Sequence, residues 1–176
     1  MIDMALAAEQ HENPGVNGSA PAKTRLSLPH RIPATNPDLS SVFFGHERDQ
    51  IKLARSWCWR TTGLAYDRAY PILLALSEIY TNAIKHTASG LPGGRVRIDI
   101  TRLTGNMRLA VTDQGLRPER PVTLPEPRPT CIEDIEEAGR GLSLVEAVSR
   151  RWGWEGNPGD PLTVWALFDR NPSHHG

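Results

Sequence analysis

The sequence has few cysteines, no excess of charge of either sign and no long hydrophobic run. Its two cysteines, Cys58 and Cys131, lie far apart in no metal-binding or redox spacing, which indicates two free thiols in a reducing compartment. Twenty basic residues balance twenty acidic ones, so nothing indicates a nucleic acid or a membrane recognised through bulk charge. No apolar run approaches the roughly 20 residues that span a bilayer.

Two local signatures are also missing. The first residues, MIDMALAAEQ, include an acid where a secretory signal would be basic, and their apolar run is too short. No GxxxxGK(S/T) motif occurs, which excludes a P-loop enzyme.

A chain of 176 residues with 39% hydrophobic and 23% charged residues is typical of one globular domain with a modest tail. We interpret it as a cytoplasmic protein.

Composition divides the chain into an extension, a domain and a tail. Residues 1–38 are rich in Ala, Asn, Pro, Gly and Ser, with little apolar periodicity, which predicts a disordered extension. The segment RLSLPHRI within it is a weak candidate for a short strand. The folded domain is predicted over residues 39–170, with SVFFG as its first strand, and residues 171–176 are predicted to be a flexible tail.

Hydrophobic periodicity predicts the element order β-α-α-β-β-loop-α-β-β. Helices are predicted at about 48–62, ending at Gly63, at 67–86, with Asp67 as N-cap, and at 142–151. Alternating apolar residues predict strands at RVRIDITRL and MRLAVTD, joined as a hairpin, and two more near 152–155 and 162–168.

The long connection between the hairpin and the third helix is rich in proline and acidic residues. Residues 116–138 contain only one short helical stretch, IEDIEEA, and a connection of this length predicts a lid, a binding loop or disorder. The predicted strands and helices fall into separate layers. The fold class is therefore an α/β (α+β) two-layer sandwich, with a mixed, mostly antiparallel sheet covered on one face by helices.

The stretch LSEIYTNAIKHT places three polar side chains on one face of the second helix. Glu78, Asn82 and His86 are each four residues apart, just over one helical turn, so they form a single stripe. The residues between them are mostly apolar, so the same helix must also pack against a core. The stripe is either a solvated face or the wall of a site.

Three segments, taken in order, resemble a known set of boxes. They are ExxxNA from residue 78, DQG from residue 113 and GRGL from residue 139, and they resemble the N, G1 and G2 boxes of the histidine-kinase-like (GHKL) ATPases. The resemblance covers roughly residues 42–169. The phrases SEIYTNAIKH, GRGLSLVEAVSRRWGW and TVWALF are similar to those of one branch, the small bacterial anti-sigma-factor serine/threonine kinases.

The resemblance implies roles for the two residues of the first box. Asn82 would help to hold Mg²⁺, an ion that takes hard oxygen ligands and keeps phosphates and waters around it. Glu78, one turn before it, would act as the catalytic base toward an attacking hydroxyl. A polar surface would explain both residues without any chemistry. His86 is assigned to helix capping or packing.

The resemblance also implies an ATP-binding role for residues of the other two boxes. Asp113 would accept a hydrogen bond from the adenine amino group, and Gly115 would let the base approach the backbone. Gly139, Arg140 and Gly141 would bind phosphate through backbone N–H groups, a helix N-terminus and the arginine charge. A turn-forming Asp-x-Gly and a glycine-rich helix entry are the structural alternatives.

Thr163, on the last predicted strand, matches a position that contacts the adenine region in the family. A threonine that merely favours a strand is an equally good explanation of this residue.

Two departures from the family pattern stand out. The DQGLR segment lacks the second glycine of DxGxG, and the lid is proline-rich without a glycine repeat.

The resemblance implies an ATP- and Mg²⁺-dependent serine/threonine kinase that phosphorylates a serine of a small antagonist protein and so controls a sigma factor. The expected partners are therefore the sigma factor and the anti-anti-sigma antagonist, and a homodimer is expected, without nucleic acid or membrane. One alternative is an ATP-dependent protein-interaction module without significant turnover. A second is the detached ATPase domain of a histidine kinase, although no phosphoacceptor hairpin precedes the domain. A third is a two-layer domain without any nucleotide site.

Overall fold

A computed structural model describes residues 28–126 and 140–170 of the chain. Within these ranges six strands form one sheet and three helices pack on one of its faces. The strands are β1 (His30–Ile32), β2 (Leu39–Gly45), β3 (Arg95–Arg102), β4 (Asn106–Thr112), β5 (Arg151–Glu155) and β6 (Thr163–Asp169). The helices are α1 (Asp49–Thr62), α2 (Tyr66–His86) and α3 (Arg140–Val148).

The sheet order is β1-β2-β3-β4-β6-β5, and every neighbouring pair is antiparallel. The predicted two-layer α+β class is confirmed. The mixed sheet that was predicted is antiparallel throughout the described residues. Strands β3 and β4 form the predicted hairpin, whose tight turn includes Gly105 at φ 74°, a conformation that glycine adopts without steric cost.

The core lies between the sheet and α1 and α2. Alternate strand residues are buried on the helix side, as Val96, Ile98 and Ile100 are in β3, because successive side chains of a strand point to opposite faces. The hydroxyl of Tyr80, fully buried in α2, donates a hydrogen bond of 2.6 Å to the carbonyl oxygen of Gly45 at the end of β2. This bond ties the longest helix to the sheet.

Several predicted boundaries change. Strand β1 lies inside the segment predicted to be disordered, at the end of RLSLPHRI, the weak strand candidate. It pairs with β2, so the sheet begins earlier than residue 39. Helix α2 begins at Tyr66 with Ala65 at the N-cap, and Asp67 lies in its first turn instead of capping it. A carboxylate there still interacts favourably with the positive helix end. Gly63 ends α1 in the left-handed conformation, as predicted.

Some predictions cannot be compared with the structure. The short helix at IEDIEEA, the tail 171–176 and most of the N-terminal extension lie outside the described residues.

Helix α3 ends at Val148, three residues before its predicted end, because β5 already begins at Arg151. In the part of the chain that is described, no helix combines the length and the apolar character needed to cross a bilayer.

Candidate nucleotide site

The polar stripe of α2 lines a cavity of about 280 Å³. Glu78, Asn82 and His86 all contribute to its wall, and Lys85 lies beside them. The opposite side of the helix packs into the core, where Leu76 is fully buried. The stripe is therefore a cavity wall, and His86, which the sequence assigned to capping or packing, belongs to that wall as well.

The second and third boxes line the same cavity. Asp113 and Gly115 reach it from the loop after β4, and Gly141 reaches it from the first turn of α3. Three segments that are far apart in the sequence thus meet around one space. Of the residues predicted for the site, the structure brings together Glu78, Asn82, Asp113, Gly115 and Gly141.

The Glu78 carboxylate lies directly against the start of α3. A Cβ atom placed on Gly141 would be 2.7 Å from Glu78 Oε2 and 3.5 Å from Asn82 Nδ2. A side chain at position 141 would therefore displace the carboxylate. The first backbone N–H groups of a helix have no partner within the helix and carry a partial positive charge, so this corner of the cavity favours anionic groups.

Asp113 is held by two backbone N–H groups at the end of β4. Its Oδ1 accepts hydrogen bonds from the N–H of Gly115 at 2.6 Å and from the N–H of Leu162 at 3.2 Å. Both contacts use the same oxygen, which leaves Oδ2 for a ligand. Burial raises the pKa of the Asp113 carboxyl, because desolvation disfavours its charge more than the two backbone hydrogen bonds favour it.

Gly115 fits between two neighbouring loops. Its φ is 78°, and a Cβ atom there would lie 2.8 Å from the carbonyl oxygen of Gly159 and equally close to Asp160 C. Its own carbonyl accepts a hydrogen bond of 3.0 Å from the N–H of Ala88, in the turn after α2. Both the backbone conformation and the close packing require glycine, and they fix the loop that carries Asp113.

The described part of the long connection, residues 116–126, contributes Leu116 and residues 121–126 to the cavity wall. Leu116, Val122 and Leu124 give this wall an apolar surface. The segment is anchored by a hydrogen bond of 2.9 Å from the N–H of Leu116 to the carbonyl of Gly159, and by one of 3.1 Å from Arg120 Nη1 to the carbonyl oxygen of Lys85. Residues 127–139, including Gly139, lie outside the described ranges, and Arg140 is the first residue of α3.

Thr163 does not line the cavity. Its hydroxyl lies 2.8 Å from the hydroxyl of Thr112, its directly paired neighbour on β4, on the sheet face away from the helices. The preceding residue, Leu162, lines the cavity, and its N–H contacts Asp113. Thr163 thus contacts the neighbouring strand and not this cavity, and its assignment to the adenine region stays a prediction. The alternation of buried residues continuing from Leu162 into β6 is the sequence signal that points to Leu162 as a residue of the cavity wall.

The donor set near α3 fits a magnesium ion held mainly by a ligand's phosphates. No group of three or more His, Cys, Asp or Glu side chains in residues 28–126 and 140–170 is arranged to hold a metal. The Asn82 carboxamide lies next to the corner that favours anions, and one hard oxygen donor is compatible with an ion that keeps waters and phosphate oxygens as its other ligands.

Comparison with known proteins identifies the class. Residues 46–164, more than half of the chain, match the family described as the histidine kinase-like ATPase domain, and the chain belongs to this family. The predicted resemblance to these ATPases is confirmed, and membership implies that ATP is the ligand.

Individual relatives match a shorter stretch. Over 80 residues, 46% of this chain, the sequence is 36% identical to an uncharacterised protein of Streptomyces coelicolor, and the match covers 69% of that protein. A match of equal length, at 29% identity, is found with the anti-sigma F factors of two Clostridium botulinum strains, and it covers 56% of those proteins. The chain thus matches little more than half the length of the anti-sigma F factors.

Proposed function

We propose that this protein is an ATP-dependent serine/threonine protein kinase of the anti-sigma-factor type. The observation that carries the proposal is the meeting of Glu78, Asn82, Asp113 and Gly141 around one cavity. Asp113 Oδ2 would accept a hydrogen bond from the adenine amino group. The triphosphate would extend from there toward the first turn of α3, where the helix end attracts negative charge.

In the proposed reaction a serine hydroxyl attacks the γ-phosphorus of ATP. The new bond joins the serine oxygen to that phosphorus while the bond from the phosphorus to the β–γ bridging oxygen breaks, and ADP leaves with the electron pair. Glu78 accepts the serine proton. Asn82 would hold Mg²⁺, which neutralises charge on the phosphate oxygens when it is bound.

The proposed partners follow from the relatives. The match to anti-sigma F factors supports a role in controlling a sigma factor, and the substrate would then be a serine of a small antagonist protein.

The apolar wall at residues 116–126 supports nucleotide binding, because a flat aromatic base fits against Leu116, Val122 and Leu124.

The test is phosphoryl transfer from labelled ATP to a candidate antagonist protein. We expect Glu78→Gln to lower the transfer rate by roughly 10²-fold or more while ATP affinity changes little. Glu146→Gln is the matched control, because Glu146 is exposed on α3 and the change removes the same charge.

Two results would count against the kinase. Transfer that Glu78→Gln leaves undiminished would exclude Glu78 as the base. ATP binding that depends on Asp113 but is followed by no transfer to any antagonist would instead support an ATP-dependent interaction module.

A further inference from the structure

The two edges of the sheet differ in how they are protected. Strand β1 has three residues and stands between Pro29 and Pro33, which cannot donate backbone hydrogen bonds and so stop another strand from adding there. Strand β5 at the other edge has five residues and no proline. Among the described residues β5 pairs only with β6, so no described strand occupies its outer edge.

The sequence of β5 reads RWGWE, which is symmetric about Gly153 except that its two ends carry opposite charges. If this strand pairs with a second copy of itself, antiparallel and centred on Gly153, Arg151 lies opposite Glu155 of the second copy. Trp152 then lies opposite Trp154 of the second copy. A two-fold axis repeats each contact, so one register forms two ion pairs and two tryptophan pairs.

The side chains of β5 are accessible for these contacts. Glu155 stays 65% exposed although its Oε1 lies 3.1 Å from Arg108 Nη2. The Arg151 guanidinium lies 5.9 Å from the centre of the Trp165 ring, and Arg151 itself is exposed. Trp152 and Trp154 are half-buried against the core, so each retains surface that a neighbouring strand would cover.

The centre of the strand suits close approach of a second copy. A Cβ atom on Gly153 would lie 2.9 Å from Trp165 Cζ2, which means that the Trp165 ring already covers this glycine on the face away from the helices. Two copies centred here would place two glycines side by side with a tryptophan ring next to each.

We propose that β5 of this chain pairs with β5 of a second copy, antiparallel and centred on Gly153, so that two six-stranded sheets join into one. The charge complementarity of the two strand ends selects this register over registers shifted along the strand. No residue of β5 lines the nucleotide cavity, so this proposal stands or falls independently of the proposed kinase activity.

The first test is sedimentation of the whole chain over a concentration series. We expect a dimer whose Kd rises at least about tenfold in Arg151→Glu and in Glu155→Arg, because each change puts two like-charged pairs at the interface. The double variant Arg151→Glu/Glu155→Arg restores opposite charges and should return the Kd to near its original value. Lys52→Glu is the control, since Lys52 is 85% exposed on α1 and the charge change matches that of Arg151→Glu.

The second test is disulfide cross-linking in a Cys131→Ser background, in which Cys58 is fully buried. Directly opposite residues of an antiparallel pair have Cα atoms about 4.5–5.5 Å apart, within reach of a disulfide. A mixture of the Arg151→Cys and Glu155→Cys proteins should therefore cross-link under oxidation, whereas each protein alone should not.

Three results would overturn the proposal. The first is a chain that stays monomeric at every concentration, which would mean that any strand pairing with β5 comes from a different protein. The second is a dimer that the single charge reversals do not weaken or the double reversal does not restore. The third is cross-linking of either single-cysteine protein with itself as readily as in the mixture.

Discussion

At the scale of single residues, Asp113 carries a charge that the fold disfavours. Burial raises its pKa above the ordinary value of 3.8, although two backbone N–H groups contact its Oδ1. A carboxyl with a higher pKa in the folded than in the unfolded chain binds more protons when folded. Stability therefore falls as pH rises from about the unfolded value through the raised folded value, and the full cost is present above the folded value.

This cost predicts opposite effects of Asp113→Asn on stability and on binding. The carboxamide oxygen can keep both backbone hydrogen bonds without a charge, so we expect the free protein to unfold at the same or a higher temperature at pH 7. ATP affinity should fall at least about tenfold, because the amide NH₂ that takes the place of Oδ2 is a donor and cannot accept a hydrogen bond from the adenine amino group. The stability difference from the unmodified protein should shrink as pH is lowered toward 3.8. Scanning calorimetry and ATP titration check this, and a lower unfolding temperature at pH 7 would contradict it.

Gly141 is a second position at which a single added carbon atom is expected to change the phosphoryl-transfer rate. Gly141→Ala places a methyl group only 2.7 Å from Glu78 Oε2, and the flexible carboxylate must move. We expect the fold to persist and the phosphoryl-transfer rate to fall by roughly 10²-fold, since small displacements of a catalytic group are costly. ATP affinity should change much less. Glu146→Ala on the exposed side of the same helix should leave both quantities unchanged, and an equal loss in that control would contradict the explanation.

Residue-level predictions succeed where a short motif fixes the chemistry. The ExxxNA spacing on one helix and the Asp-x-Gly after a strand brought Glu78, Asn82 and Asp113 to the cavity without knowledge of the fold. Thr163 does not line the cavity, because neighbouring residues of an extended chain face opposite sides of the sheet and Leu162 takes the cavity side. Its role in binding adenine stays a prediction.

At the scale of elements, hydrogen bonds to other described residues anchor the connection 116–126 at Leu116 and Arg120. Arg120 Nη1 contacts the carbonyl of Lys85 in the last turn of α2, where carbonyl groups have no partner within the helix. This contact anchors the segment that carries the apolar wall of the cavity. In the proposed kinase, Arg120 would therefore be a positioning residue.

Removal of this anchor should loosen the wall. We expect Arg120→Ala to weaken ATP binding by about fivefold, the equivalent of roughly 1 kcal/mol for one hydrogen bond, through faster nucleotide dissociation. The rate of transfer at saturating ATP should stay nearly constant. Stopped-flow dissociation measures the effect, with Arg117→Ala in the same segment as control. Equal rates in both variants would remove the role given to Arg120.

Element-level prediction worked for patterns contained in one stretch of chain. The apolar stripe of α2 and the alternation in β3 and β4 report burial directly, so their existence and approximate ends were predicted. Strand β1 was only a weak candidate, at RLSLPHRI, within an extension predicted to be disordered, because three residues between prolines show no alternation. The sheet order, with β6 between β4 and β5, depends on contacts between distant segments that periodicity does not encode.

At the scale of the whole molecule, the helix layer and the sheet are joined by a buried polar contact as well as by apolar packing. The Tyr80 hydroxyl bonds to Gly45 at 2.6 Å in the core, and burial raises the pKa of this phenol. We expect Tyr80→Phe to lower the free energy of unfolding by about 1–2 kcal/mol, because the change removes a buried hydrogen bond.

Urea unfolding measures this loss. Tyr66→Phe is the matched control, since Tyr66 is half-exposed and its ring contacts with Trp59 and Tyr70 do not need the hydroxyl. Tyr80 does not line the cavity, so ATP affinity should be the same in both variants. A loss of stability that is equal in the two variants would refute the importance of the buried bond.

The apolar wall of the cavity has a thermodynamic consequence. Leu116, Val122 and Leu124 are 50%, 48% and 39% exposed in the free protein, and a nucleotide base would take this surface out of water. Removal of apolar surface from water gives binding a negative heat-capacity change. The heat released on titration with ATP should therefore increase as the temperature of the experiment is raised.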